Sequence, residues 1–319
     1  MSHNILVCIP GLAEEQVLRI RASAEQLGFQ VSFCSSVKEA MPYLPEAQVI
    51  FGQEADLARF SPKLKWICSP SAGINQFCGK DVFANPCAVL SNSSGAYGVT
   101  IAEHVVMVTL ETLRRQKEYD AMARAHVWRR DLAVKSIFGS CVVLLGAGDI
   151  GRETAKRFRA FSPESIIAVN RSGAAKGDYD AVRRVEELNG LLPECDILVI
   201  SLPGTPETHH MIDAQRLSLL PDGALIVNVG RGSVIDTPAL VRELTNGRLK
   251  AVLDVFETEP LPKDDPLWEC PNLIITQHTA GNMTLPYTVR RIVDLFLEDL
   301  ARFARGETPL QLVDRTRGY

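Results

Sequence analysis

No stretch of this 319-residue chain approaches the eighteen or so apolar residues that a membrane-spanning helix needs. The nearest candidate, VVMVTLETLRR (105–115), turns charged too early. The N-terminal MSHNILVCIPGLAEE has neither a basic n-region nor an A-x-A cleavage pattern, and its apolar run stops at Pro10 and Gly11; it reads as a first strand, not an export signal. An excess of one charge is also missing. Lys and Arg number 34 against 38 Asp and Glu, a formal charge of −4 without a basic stripe or an acidic tail. Nothing therefore points to nucleic acid or a membrane as a partner, and small solutes are the expected ligands. The eight cysteines show no C-x-x-C spacing and no neighbouring histidine pairs, so they are read as structural thiols, with no metal site and a cytoplasmic location expected. Internal repeats, low-complexity tracts and heptad arrays are lacking too.

What is present is ordinary globular material, 46% hydrophobic and 23% charged, long enough for roughly two domains. Short β-branched or apolar runs alternate with helical periods, the pattern of an α/β fold with parallel sheets covered by helices. NILVCI, QVSFC, QVIFG, LKWICS and CAVLS read as strands of a first unit, with a helix over residues 12–27. Residues 99–119 contain no Gly or Pro and read as one long helix crossing between domains. A second unit follows, with strands at CVVLL, SIIAVN, DILVIS, ALIVNV, KAVLDV and NLIIT. In residues 284–305, Leu285, Val289, Ile292, Phe296, Leu300 and Phe303 share one face of an amphipathic helix ending at Gly306; which sheet it covers is open.

Gly146, Gly148 and Gly151 stand in G-x-G-x-x-G spacing between the run CVVLL and a helical segment. Alone, such a pattern fits a ligand-free turn about as well as a dinucleotide site, but the strand and helix around it favour the dinucleotide. Gly146 permits the turn, Gly148 admits the pyrophosphate to the backbone, and Gly151 lets the helix pack closely with its N-terminal amides toward the phosphates. About twenty residues on, where an NAD site offers a carboxylate to the ribose, SIIAVN ends in Asn170, Arg171 and Ser172. Asn170 removes a repelling charge, and Arg171 with Ser172 suits a 2'-phosphate, so NADP(H) is expected ahead of NAD(H). The bland alternative for Arg171 is an exposed loop arginine.

The stretches SAGIN (71–75), AEHVVMVTL (102–110), VVLLGAGDIG (142–151), VNVGRGSVID (227–236), AVLDVFETEPLPKDDPLW (251–268) and TQHTAGN (276–282) resemble the D-isomer-specific 2-hydroxyacid dehydrogenase family, in particular its short glyoxylate and hydroxypyruvate reductases. The resemblance spans nearly the whole chain. It implies two doubly wound parallel-sheet domains: a Rossmann NAD(P)-binding domain (95–283) inserted into a flavodoxin-like substrate domain (1–94, with 284–319 returning as its last helix). The active site would lie in the cleft, with domain closure excluding water, and a homodimer is implied by analogy.

The family's catalytic trio maps onto Arg231, Glu259 and His278. Hydride arriving at a ketone carbon leaves negative charge on oxygen, which His278 would neutralise as general acid. Glu259, bonded to the ring, would favour the imidazolium, and Arg231 would polarise the carbonyl and bind the neighbouring carboxylate. Each has a duller reading, as loop surface, satisfied strand-end histidine or turn cap. The three together at strand ends of an α/β sheet favour catalysis. The resemblance further implies that backbone amides of Ser71, Ala72, Gly73 and Ile74 hold the substrate carboxylate. It places the cofactor among Gly146, Ala147, Gly148, Asp149, Ile150, Gly151, Asn170, Arg171, Ser172, Leu202, Pro203, Thr208, Val229, Gly230, Asp254, His278, Ala280 and Gly281. His209 and His210 would face solvent. Two departures stand out: Asn75 where the family often has Asp, and Gln277 where it often has Pro before the histidine. Trp128 receives no role.

The expected substrate is a small 2-keto or 2-hydroxy acid. The competing readings are a non-catalytic dinucleotide-sensing protein resembling the family's corepressors and a methyltransferase. The intact trio argues against both. Formate oxidation is associated with Gln at the position of Glu259, and the chain is too short for added regulatory domains.

Overall fold

Runs of Val, Ile and Leu form strands because β-branched and aliphatic side chains fit a pleated surface buried on both faces. The computed structural model describes residues 3–79 and 81–315. It divides into two compact units, one built from residues up to 97 with those from 283 onward, the other from 98–282.

The first unit is a five-stranded parallel sheet of β1 (His3–Cys8), β2 (Phe29–Cys34), β3 (Val49–Gly52), β4 (Trp66–Cys68) and β5 (Val89–Ser91) in the order β2-β1-β3-β4-β5. This is the flavodoxin-like order. The last helix, Pro286–Ala304, belongs to this unit. Ile292, Phe296 and Leu300 are buried, and Phe296 stacks on Phe51 and Trp66 with ring centroids 4.1 and 5.5 Å apart. Burying a side chain of that size is worth about 1.5–3 kcal/mol. Leu285, expected on the buried face, is instead exposed, because the helix starts one residue later. The chain then returns beside β5, where the Val313 amide donates to the Leu90 carbonyl at 2.8 Å.

The second unit is a seven-stranded parallel sheet: β6 (Cys141–Leu145), β7 (Ser165–Asn170), β8 (Ala181–Arg184), β9 (Ile197–Ile200), β10 (Leu225–Asn228), β11 (Lys250–Leu253) and β12 (Leu273–Ile275). Its order is β12-β11-β10-β9-β6-β7-β8, so the chain reverses its direction of winding between β6 and β9. A crevice at the carboxyl ends of the strands follows from such a reversal. β8 is absent from the sequence reading: AVRR is exposed or half-buried along its length and shows no run of buried positions.

The single helix expected over 99–119 is two, Gly98–Leu113 and Gln116–Arg124. Arg115 adopts a left-handed φ of 57° between them, which costs a non-glycine residue about 1–2 kcal/mol. One long-range bond and one local ion pair offset this. The Lys135 amide donates to the Leu113 carbonyl at 2.9 Å, ending the first helix, and Arg115 Nε pairs with Glu118 at 2.8 Å. The Lys135 partner is not local to the break. Beyond the second helix, residues 127–136 carry no regular structure, and Trp128 is 90% exposed.

All eight cysteines are free. Burial pushes the Cys8 thiol up to about 11, which suits a packing role.

Candidate active site

Parallel strands deliver all their carboxyl ends to one edge of a sheet, and on the second unit that edge gathers the glycine turn, the trio and their supports. After β6, Gly146 takes a φ of +118°, and a Cβ there would lie 2.6 Å from Ser201 Oγ. A Cβ on Gly151 would overlap the Gly146 carbonyl oxygen, whereas Gly148 faces open space. The turn is thus tight where the backbone must bend and open where an anion must approach the amides of Ala147 to Ile150. These residues fit a dinucleotide pyrophosphate. Asp149 contributes only backbone, since its carboxylate accepts from the Gly98 amide at 2.8 Å and from Arg152 at 2.9 Å.

At the end of β7, Asn170 Oδ1 accepts from the Gly173 amide at 2.7 Å and Ser172 Oγ at 3.2 Å, while Nδ2 donates to Ala174 O at 2.9 Å. Asn170 therefore shapes the turn, leaving Arg171 exposed upon it. A second cation, unforeseen in the sequence, joins here. Arg184 is the β8 register partner of Asn170, and its Cγ would lie 2.8 Å from a Cβ on Gly173. The adjacent arginines of AVRR were the only hint.

After β9, Leu202 and Pro203 are half-buried. Thr208 is turned inward: its buried hydroxyl donates to Pro203 O at 2.7 Å and accepts from the Thr205 amide at 2.9 Å, so it holds the loop's shape. His210, expected to face solvent, is half-buried and lies 3.1 Å from Glu257 Oε2; His209 stacks on its ring.

The ends of β10, β11 and β12, adjacent in the sheet, supply the trio. Arg231 follows Val229 and Gly230, and a Cβ on Gly230 would press on Leu202 backbone 2.6 Å away. Burial pushes the Arg231 guanidinium below its usual range, and the nearby Glu259 charge opposes that. Glu259 Oε1 accepts from the Phe256 amide at 2.9 Å, and its Oε2 meets His278 Nδ1 at 2.7 Å. With Nδ1 committed to the carboxylate, Nε2 is the nitrogen left to act. No hydrogen bond joins Arg231 to either partner among the described residues; charge links it to Glu259.

Asp254, 2% exposed, binds the loop that carries the histidine. Its Oδ1 accepts from Thr276 Oγ1 at 2.6 Å and the Thr279 amide at 2.9 Å, and its Oδ2 accepts from the Ala280 amide at 3.1 Å. Its own carbonyl receives the His278 amide at 2.8 Å. Gly281 follows, half-buried.

In the first unit, the amides of Ala72, Gly73 and Ile74 make no hydrogen bond among the described residues, as a carboxylate-binding loop requires. Ser71 differs: its amide donates to Ser69 Oγ at 3.2 Å and its hydroxyl to Gln53 Oε1 at 3.1 Å. Asn92 Nδ2 braces the loop through Ala72 O at 2.8 Å.

Residues 106–280, from the first helix of the second unit through the histidine loop, match the family model described as D-isomer specific 2-hydroxyacid dehydrogenase, NAD binding domain. The chain belongs to this dehydrogenase family. A glyoxylate reductase of Aeropyrum pernix is 33% identical over 277 residues, covering 82% of this chain and 80% of its own. Among solved structures, a D-isomer specific 2-hydroxyacid dehydrogenase family protein of Aeromonas salmonicida subsp. salmonicida superposes with a TM-score of 0.87 at 28% identity, covering 99% of this chain and all of its own. An NADPH-dependent glyoxylate/hydroxypyruvate reductase of Sinorhizobium meliloti, solved with NADP and sulfate, gives 0.83 at 26% identity over the full length of both chains. The dehydrogenase is therefore an NAD(P)-dependent oxidoreductase of 2-keto and 2-hydroxy acids.

Two further residues of this dehydrogenase escaped the sequence reading. Thr276 Oγ1 lies 3.3 Å from His104 Nε2, on the helix Gly98–Leu113. Both stand inside the recognised stretches AEHVVMVTL and TQHTAGN, yet 172 positions separate them, and no local pattern couples the two.

Proposed function

We propose that this dehydrogenase reduces a small 2-keto acid of the glyoxylate, hydroxypyruvate or pyruvate type to its D-2-hydroxy acid, with NADPH preferred and NADH as second cofactor. The observation that carries the reading is the 2.7 Å contact between His278 Nδ1 and Glu259 Oε2 at neighbouring strand ends. A nicotinamide dinucleotide, its pyrophosphate held by the glycine turn, would supply the hydride for the ketone carbon. His278, held through Nδ1 by Glu259, gives the proton on Nε2 to the oxygen, so that C=O gains one hydride and one proton. Arg231 polarises the same carbonyl and holds the adjacent carboxylate. On the first unit, the amides of Ala72, Gly73 and Ile74, which make no hydrogen bond among the described residues, are proposed as carboxylate donors. Arg171 and Arg184, with no acidic side chain at Asn170 to repel a phosphate, support the NADPH preference, as does the NADP found in the Sinorhizobium relative.

A panel of 2-keto acids followed by loss of dihydronicotinamide absorbance tests this. At least one small acid should turn over, with kcat/KM at least about tenfold higher for NADPH than for NADH, since charge-assisted phosphate contacts are worth about 1.5–3 kcal/mol. Tight NADPH binding without turnover on any acid would indicate a dinucleotide-sensing protein instead.

The reading includes a cytosolic homodimer, in keeping with the free cysteines. Val127, Trp128, Val134 and Phe138 form an exposed apolar series on one segment of the second unit, the kind of surface that marks a protein contact. Light scattering should return twice the chain mass, and Trp128→Ser should shift the population toward monomer; a monomeric wild type would end the dimer proposal.

A further inference from the structure

The catalytic histidine stands on backbone that its own sequence does not hold. His278 has a left-handed φ of 54°, a region that L side chains rarely adopt. Gln277 precedes it where the family often has proline, so no ring restricts the φ of that residue. The restraint comes instead through Asp254, which receives the His278 amide on its carbonyl and the Thr279 and Ala280 amides on its carboxylate.

That carboxylate is itself held from the side. Thr276 Oγ1 has one proton, and at 2.6 Å it goes to Asp254 Oδ1. Toward His104 Nε2, 3.3 Å away, the same oxygen can then only accept, so His104 must carry its proton on Nε2. Burial holds the His104 ring below its ordinary pKa against the pull of Asp254, which keeps it a neutral donor. The helix Gly98–Leu113 is thereby tied to the floor of the histidine loop.

We propose that His104 is a positioning residue: its Nε2–H, donated to Thr276 Oγ1, orients the Thr276 hydroxyl onto Asp254 and so fixes the backbone that aims His278. The inference rests on the reductase reading, and it acts on the proton-donating step, not on cofactor affinity.

His104→Leu should lower kcat about tenfold, as small misplacements of a reacting group do, while the dissociation constant for NADPH stays within about twofold. His104→Gln, which offers an N–H at similar reach, should restore most of the loss, as Thr276→Ser should relative to Thr276→Val. Because His104 acts through Thr276, the His104→Leu/Thr276→Val double variant should be no slower than Thr276→Val alone. Normal kcat in His104→Leu, failure of the Gln variant to rescue, or losses that multiply would each overturn the proposal. Independently of turnover, NMR of histidine-labelled wild-type protein should show His104 protonated at Nε2 and bare at Nδ1; the opposite tautomer would overturn it as well. A wild type active on no keto acid would defeat the reductase reading, while the NMR result would still judge the hydrogen-bond chain.

Discussion

His278→Gln should reduce kcat by about 10²–10⁴, the range that a positioned general acid contributes. Glutamine fills similar space and can still donate toward Glu259, but it has no proton of suitable acidity to pass to the substrate oxygen. The exposed position of the ring at the end of β12 means that little packing is lost. Melting temperature and NADPH binding should therefore stay near wild type, which separates a chemical defect from a folding one. Turnover within about threefold of wild type would remove His278 from the mechanism.

Arg231→Lys should lower kcat/KM by about 10²–10³, comparable to deleting one preorganised donor to a developing oxyanion. The charge survives the substitution; the geometry does not. A guanidinium presents five N–H groups in a planar fork and can engage a carboxylate and a ketone oxygen together, whereas an ammonium is a point charge on a flexible stem. In wild type, Arg231 Nη1 already donates to the Gly230 carbonyl at 2.7 Å, which fixes one edge of the fork and leaves the other for substrate. Loss should appear in both parameters: a higher KM from weaker carboxylate binding and a lower kcat from weaker polarisation. A lysine variant with unchanged KM and kcat would show that net positive charge suffices.

Burial also makes Arg231 sensitive to its surroundings. Desolvation opposes its charge and Glu259 supports it, so the carboxylate that orients His278 helps to keep the guanidinium charged in a half-buried setting. In the proposed mechanism, the two contributions of Glu259 are coupled through one side chain. This explains why the three residues belong on adjacent strands: β10, β11 and β12 lie side by side, and a parallel ladder holds their ends in fixed register.

Several assignments made from sequence change meaning in three dimensions. Asp149, Asn170 and Thr208 stand among the cofactor positions expected from sequence, and each spends its side chain on a backbone amide or carbonyl, or on an arginine. Polar residues in tight turns must satisfy local donors first. Asp254 similarly braces the histidine loop, although Oδ2 accepts only the Ala280 amide and retains capacity for another donor.

The sequence by itself determined the strand runs, the glycine spacing of the nucleotide turn and the chemical types at Arg231, Glu259 and His278, because periodicity, φ freedom and side-chain functionality are local properties. Tertiary structure alone decided the break at Arg115, the edge strand Ala181–Arg184, the seating of Phe296 on Phe51 and Trp66, and the meeting of His104 with Thr276. Each of those depends on partners far along the chain. Lys135 ends a helix twenty-two positions back, and Phe51 and Trp66 receive Phe296 only once β3 and β4 are paired. Local residues set what each segment is able to form, and long-range contacts, through burial and hydrogen bonds closed at a distance, select which of those forms persists.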